Sequence, residues 1–153
     1  ASFYYNRGIE KYKAGVYYGA ISDYSKAIEI NPRDADAYFN RGLSKSRLRD
    51  YSGAISDFNK AIEINPKDHY AYFNRGFTKY WMVDREGTCK DFKMAASLGS
   101  EDSKELISGI HGLMFCGSSN LILNKLINPF FEIIFEETAV ILASIINSQK
   151  VPK

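Results

Sequence analysis

The 153 residues, 45% hydrophobic and 25% charged, suffice for one domain with a sizeable core. A net charge of +2, spread along the chain, forms no basic stripe and gives nucleic acid no electrostatic footprint. The only two cysteines, Cys89 and Cys116, sit in no paired-spacing motif, so no disulfide is expected and a reducing, cytoplasmic compartment is favoured.

From the first residue the chain repeats itself, and no secretory signal peptide is expected at its opening, although one already removed would leave no trace. Ala1 to Asp34 contains YYNRG and YYGAISDYSKAIEINPRD, and Ala35 to Asp68 gives the same pattern as ADAYFNRGLSKSRLRDYSGAISDFNKAIEINPKD. YAYFNRG returns at Tyr70 to Gly76, followed by Asp91-Phe92-Lys93. A period of about thirty-four residues marks an array of helical pairs, none of which buries its apolar face alone. In the second unit the spacing predicts helices over Asp36–Leu48 and Tyr51–Ile64, the latter stopped by Asn65-Pro66 as its counterpart is by Asn31-Pro32. Gly8, Gly42 and Gly76 fall inside first helices, where glycine costs about 1 kcal/mol relative to alanine. Three such costs imply a close helix crossing, with Ala20 and Ala54 as the matching small residues.

Tyr38, Gly42, Ala54-x3-Phe58 and Pro66 make this stretch resemble the tetratricopeptide repeat family. The resemblance implies an all-α fold, a right-handed α-α superhelix of three helix pairs over 1–34, 35–68 and 69–102, with 103–153 as a capping helix and hydrophobic helical tail. It also implies a protein-interaction scaffold, no enzymatic activity, no cofactor or metal, and a protein or peptide partner. Tyr4, Tyr38 and Tyr72 are expected to face the second helix of their own unit, each at i, i+4 with a repeat glycine. The neighbouring stripe is Tyr5, Ile9, Tyr12, then Phe39, Leu43, Ser46, then Phe73, Phe77, Tyr80; in the family it lines a concave groove. Asn6, Asn40 and Asn74 stand beside it, one per unit. First helices about 8–10 Å apart would meet an extended peptide, at about 3.3 Å per residue, every third residue. A side-chain amide offers both donor and acceptor to that main chain. Trp81 extends the expected aromatic surface, and Lys13 and Arg47 border it with a preference for acidic peptides. The competing reading is an asparagine inherited with the repeat and simply exposed.

Arg7, Arg41 and Arg75 are each followed sixteen residues later by Asp23, Asp57 and Asp91, which predicts a repeated ion pair bridging helices. The family's two-carboxylate clamp for chaperone C-termini needs Lys and Asn on the first helix, Asn on the third, and Lys and Arg on the fifth. The corresponding positions here are Tyr5, Ile9, Asn40, Tyr70 and Asn74, of which only Asn40 fits.

The third unit decays: Thr88 replaces the small alanine, Gly99-Ser100 replaces Asn-Pro, and the run 94–99 leads straight into 103–107, within a helix expected from about Glu101 to Phe115. A break at Gly117-Ser118-Ser119, a helix to Ile127 and a last helix from Asn128-Pro129 to about Asn147 are expected to follow. This tail is apolar, but Glu132, Glu136 and Glu137 argue against a membrane span. Exposed large aliphatic side chains would forfeit roughly 1.5–3 kcal/mol each, so the tail should be covered by its own groove or a second chain. A homo-oligomer through residues 121–146 is favoured. No nucleophile–base pair or phosphate loop appears. His111 and Cys116 lie in an apolar run and read as core, so that with Cys89 they make no expected metal site, and His69 reads as exposed.

Overall fold

The computed structural model describes residues 1–108 and 116. Seven helices and no strand lie among them: α1 (Ser2–Lys13), α2 (Tyr17–Ile30), α3 (Ala35–Arg47), α4 (Tyr51–Ile64), α5 (His69–Trp81), α6 (Arg85–Ser97) and α7 (Glu101–Ile107). They pack as the pairs α1–α2, α3–α4 and α5–α6, and each second helix also packs against the first helix of the next pair. α7 takes that place against α6.

The boundaries follow from local chemistry. α4 is capped by Asp50, whose carboxylate accepts from Gly53 N at 3.0 Å, and α6 by Asp84, which accepts from Gly87 N at 2.9 Å. A Cβ at either glycine would run into the capping carboxylate, which explains a glycine in the first turn. α3 and α5 use Asp34 and Asp68 in the same way. α2 has Val16 at its cap position and no side-chain cap. Val16 is 52% exposed, so its replacement sacrifices no core. Val16→Asp is expected to stabilise the protein by about 1 kcal/mol, read as a rise in thermal midpoint.

The close helix crossing implied by the repeat glycines is present. A Cβ on Gly42 would lie 2.9 Å from Cε1 of Phe58, and Gly8 and Gly76 meet Tyr24 and Phe92 equally tightly. Between pairs, small residues again set the approach. Ala37 sits with Ala27 and Ile28 of the preceding pair, and Ala71 joins the core cluster of Phe39, Ala54, Phe58 and Ala61. The third residue of α7, Ser103, is also fully buried.

Three expectations are corrected here. The chain does not run unbroken from α6 into α7: Gly99 adopts φ +103°, and Ser100 caps α7 by accepting from Ser103 N at 3.2 Å. α7 ends at Ile107 with Ser108 extended, short of Phe115. Cys89 and Cys116 form a disulfide, with their Cα atoms 4.9 Å apart. Sequence spacing gave no sign of the bond because 27 residues separate the partners. Among the described residues no helix is long and apolar enough to cross a membrane. The helices expected beyond Gly117 and the oligomer surface at 121–146 lie outside the described residues.

Candidate peptide-binding face

The face begins with the element that fixes each first helix against its second. Arg7, Arg41 and Arg75 each donate through Nε and a terminal nitrogen to both oxygens of Asp23, Asp57 and Asp91, at 2.6–2.9 Å. The pairing lies within each helix pair. A fork-to-fork geometry of this kind is stronger and more directional than a single contact. Lys11, Lys45 and Lys79, one turn after each arginine, reach the same carboxylates at 2.7, 2.8 and 2.9 Å. The lysines were legible as a threefold repeat four residues after the arginines, but the sequence reading passed over them. Arg7, Arg41 and Arg75 also stack over Tyr4, Tyr38 and Tyr72 at 5.4–5.5 Å. Tyr4 and Tyr38 also face the second helix of their own pair, as expected: Tyr4 packs on the Ala27 and Ile28 cluster with Lys26 over its ring, and Tyr38 packs on the cluster of Ala54, Phe58 and Ala61.

The Arg7 guanidinium holds the Asp23 carboxyl down at about 2, against burial that pushes it up, with Lys11 assisting. A carboxylate depressed in the folded state stabilises fully above its unfolded value and loses that contribution as the pH falls through the folded value. Asp23 therefore contributes its full stabilisation above pH 3.8 and sheds it on the way to about 2. In acid titrations followed by circular dichroism, the stability gap between the parent and Asp23→Asn should hold constant above that window and close within it.

The first helices lie side by side and are joined across pairs. Asn40 Nδ2 donates to the Tyr5 hydroxyl at 3.0 Å and to the Asp36 carbonyl at 2.9 Å. Arg47 Nε donates to the Tyr12 hydroxyl at 3.1 Å. Burial, with Asp36 and Asp34 nearby, pushes the Tyr5 hydroxyl up to about 12, so it stays protonated. The second joint has no equivalent of the Tyr5 bond because Phe39 replaces the tyrosine; Asn74 Nδ2 donates to the Tyr70 carbonyl at 2.8 Å.

The expected binding residues divide accordingly. Asn6, Lys13 and Arg47 are exposed, Trp81 is 44% exposed, and Tyr5 and Asn74 are half-buried. Four do not lie on the open face. Asn40 is 1% exposed with its amide nitrogen committed, which interrupts the even row of asparagines at its middle member. Phe39, Phe73 and Phe77 are core residues at 4%, 1% and 4% exposure. The physical reason is the glycine crossing: it admits the second-helix ring so closely that the neighbouring first-helix aromatics meet it. Phe39 contacts Phe58 at 5.8 Å between centroids, and Phe73 and Phe77 contact Phe92 at 5.7 and 5.1 Å. His69 is half-buried rather than exposed, against Tyr70 at 4.1 Å.

Family models agree with this geometry: the tetratricopeptide repeat model matches residues 35–68, and a TPR repeat model matches residues 8–48. Residues 8–68 carry tetratricopeptide repeats. Solved structures share this fold over about two thirds of the chain. The first TPR domain of Spaghetti (RPAP3), bound to the HSP90 peptide SRMEEVD, is 26% identical with a TM-score of 0.65, over 67% of this chain and 83% of that one. The Arabidopsis OM64 TPR domain is 27% identical with a TM-score of 0.66, over 68% and 88%. MamA is 29% identical with a TM-score of 0.62, over 66% of this chain and 59% of MamA. No curated protein sequence matches the chain significantly.

Proposed function

We propose that this protein is an interaction scaffold that holds an extended peptide segment of another protein across α1, α3 and α5. The observation that carries the reading is the cross-pair bonding of first helices through Tyr5–Asn40 and Tyr12–Arg47. It fixes the spacing of a face on which Asn6 and Lys13 are exposed. The likeness to a domain solved with a bound peptide supports the same reading. The ligand chemistry differs from that of a chaperone tail. Tyr5, Ile9 and Tyr70 stand where a two-carboxylate clamp needs cations and amides, so the reading is of main-chain recognition through Asn6 and Asn74. Lys13 and Arg47 meet acidic side chains, and Trp81 offers an apolar contact. The role is binding, not catalysis.

The test uses a peptide selected by display on the full chain, with affinity read by fluorescence anisotropy. Asn6→Ala combined with Asn74→Ala should weaken it by about tenfold or more, two amide contacts at about 1 kcal/mol each, with the thermal midpoint kept. Unchanged affinity overturns the reading. Asn40 is left intact because its loss would also break the Tyr5 bond. A further role, self-association through residues 121–146, is supported by their apolar sequence. Sedimentation showing only monomer at high concentration would remove it.

A further inference from the structure

We propose that the turns inside the three helix pairs form a docking edge for an anionic lipid surface, with Trp81, Met82 and Val83 as its apolar tip. The turns share one register: Lys13-Ala14-Gly15-Val16, Arg47-Leu48-Arg49-Asp50 and Trp81-Met82-Val83-Asp84 follow one another at the repeat period. The Arg47–Tyr12 bond joins the ends of α1 and α3, and α3 in turn contacts α5, so the turns line one edge of the array.

The third turn breaks the pattern of the other two. Trp81, Met82 and Val83 are 44%, 47% and 78% exposed, and among the described residues no other three large apolar side chains in a row are exposed. The backbone makes the last of them costly. This turn needs a left-handed residue, supplied at φ +74° by Gly15, +62° by Arg49 and +63° by Val83. Glycine takes that conformation without strain, whereas a β-branched side chain is poorly suited to it. No packing offsets the strain, since most of Val83 stands in water. An apolar side chain held outward against its backbone preference points to a contact outside the fold.

Charge selects the partner. Lys13, Arg47, Arg49 and Arg85 are exposed along the same edge. Of the acids there, Asp50 and Asp84 face the positive ends of α4 and α6, accepting from the Gly53 and Gly87 amides. Glu86 is the remaining exposed acid of the third turn. A tryptophan with aliphatic neighbours and flanking cations is the composition of an interfacial anchor: the apolar groups enter the headgroup boundary and the cations meet phosphates. Cations spread over three turns fit an extended anionic plane, not a protein pocket the size of one turn.

The experiment uses the full chain without peptide, so its outcome is independent of the peptide-binding reading. The sequence holds a single tryptophan, so its emission reports the tip itself. The protein is titrated with vesicles of phosphatidylcholine alone, and with vesicles in which about a quarter is anionic phosphatidylglycerol. Flotation reads the bound fraction. The expected result is a blue shift of Trp81 emission and an affinity about tenfold or more higher for the anionic vesicles, lost in high salt. Met82→Ser combined with Val83→Gly should lower that affinity by about tenfold or more. The thermal midpoint should hold or rise, because the left-handed position is then glycine. Absence of binding, binding that leaves Trp81 emission unchanged, equal affinity for the two vesicles, or a double variant that binds like the parent overturns the proposal. A blue shift that grows with protein concentration in the absence of vesicles also overturns it, assigning the tip to a second copy of the chain.

Discussion

Asp57→Ala is expected to destabilise the protein by about 3 kcal/mol, at the lower end of the cost of breaking a buried ion pair. Asp57 is 3% exposed and accepts both Arg41 nitrogens and the Lys45 ammonium. Its removal leaves two cations half-withdrawn from water with no counter-charge. Both partners keep about a fifth of their side-chain surface in water, 19% and 20%, which is why the lower end applies. The control is an exposed pair. Lys60–Glu63, at 2.7 Å and 42% and 68% exposed, is as short but solvated, so Lys60→Ala should cost less than about 0.5 kcal/mol. Urea unfolding of both variants measures the contrast. Equal shifts in midpoint would mean that burial of the carboxylate does not set the cost.

The second large effect is a coupled one. Phe58→Ala should cost about 3–5 kcal/mol, since the ring is fully buried between Phe39 and the Gly42 crossing. Gly42→Ala alone gains helix propensity worth about 1 kcal/mol but drives a methyl to 2.9 Å from that ring and 3.3 Å from the Ala54 carbonyl. The overpacking wins, for a net loss of about 1–2 kcal/mol. In the Phe58→Ala background the ring is gone, the propensity gain remains, and Gly42→Ala should become neutral or mildly stabilising. A double-mutant cycle by chemical denaturation reads this coupling directly. Additive losses would show that the glycine answers to something other than the ring.

The helical pairing was legible because a threefold repeat reports its own period, and the Asn-Pro stops and the glycines fix where each helix ends and crosses. The Arg–Asp pair was legible for the same reason: a spacing of sixteen repeated three times is a geometric statement. The open face was harder to read. Tyr5, Phe39 and Phe73 occupy one stripe in sequence, yet Phe39 and Phe73 are core while Tyr5 spends its hydroxyl on Asn40. Helical periodicity gives the direction of a side chain only to within a turn's width, and here two adjacent stripes share the boundary between joint and face. The disulfide left no trace in spacing, since its partners lie 27 residues apart and belong to no paired motif.

Each interior arginine does one more thing. Arg41 reaches forward sixteen positions to Asp57 and, through its remaining nitrogen, backward sixteen to the Ser25 hydroxyl at 3.0 Å; Arg75 does likewise with Asp91 and Asn59 Oδ1, the latter at 2.6 Å. One planar group thus serves as both the hinge pin of its own module and the coupling to the module behind. Because both reaches recur with the repeat, splicing in or excising a whole module conserves every such linkage, whereas an insertion between positions 41 and 57 changes the spacing of the Arg41–Asp57 pair. Whole modules are thus the units whose addition or loss leaves this bonding pattern unchanged.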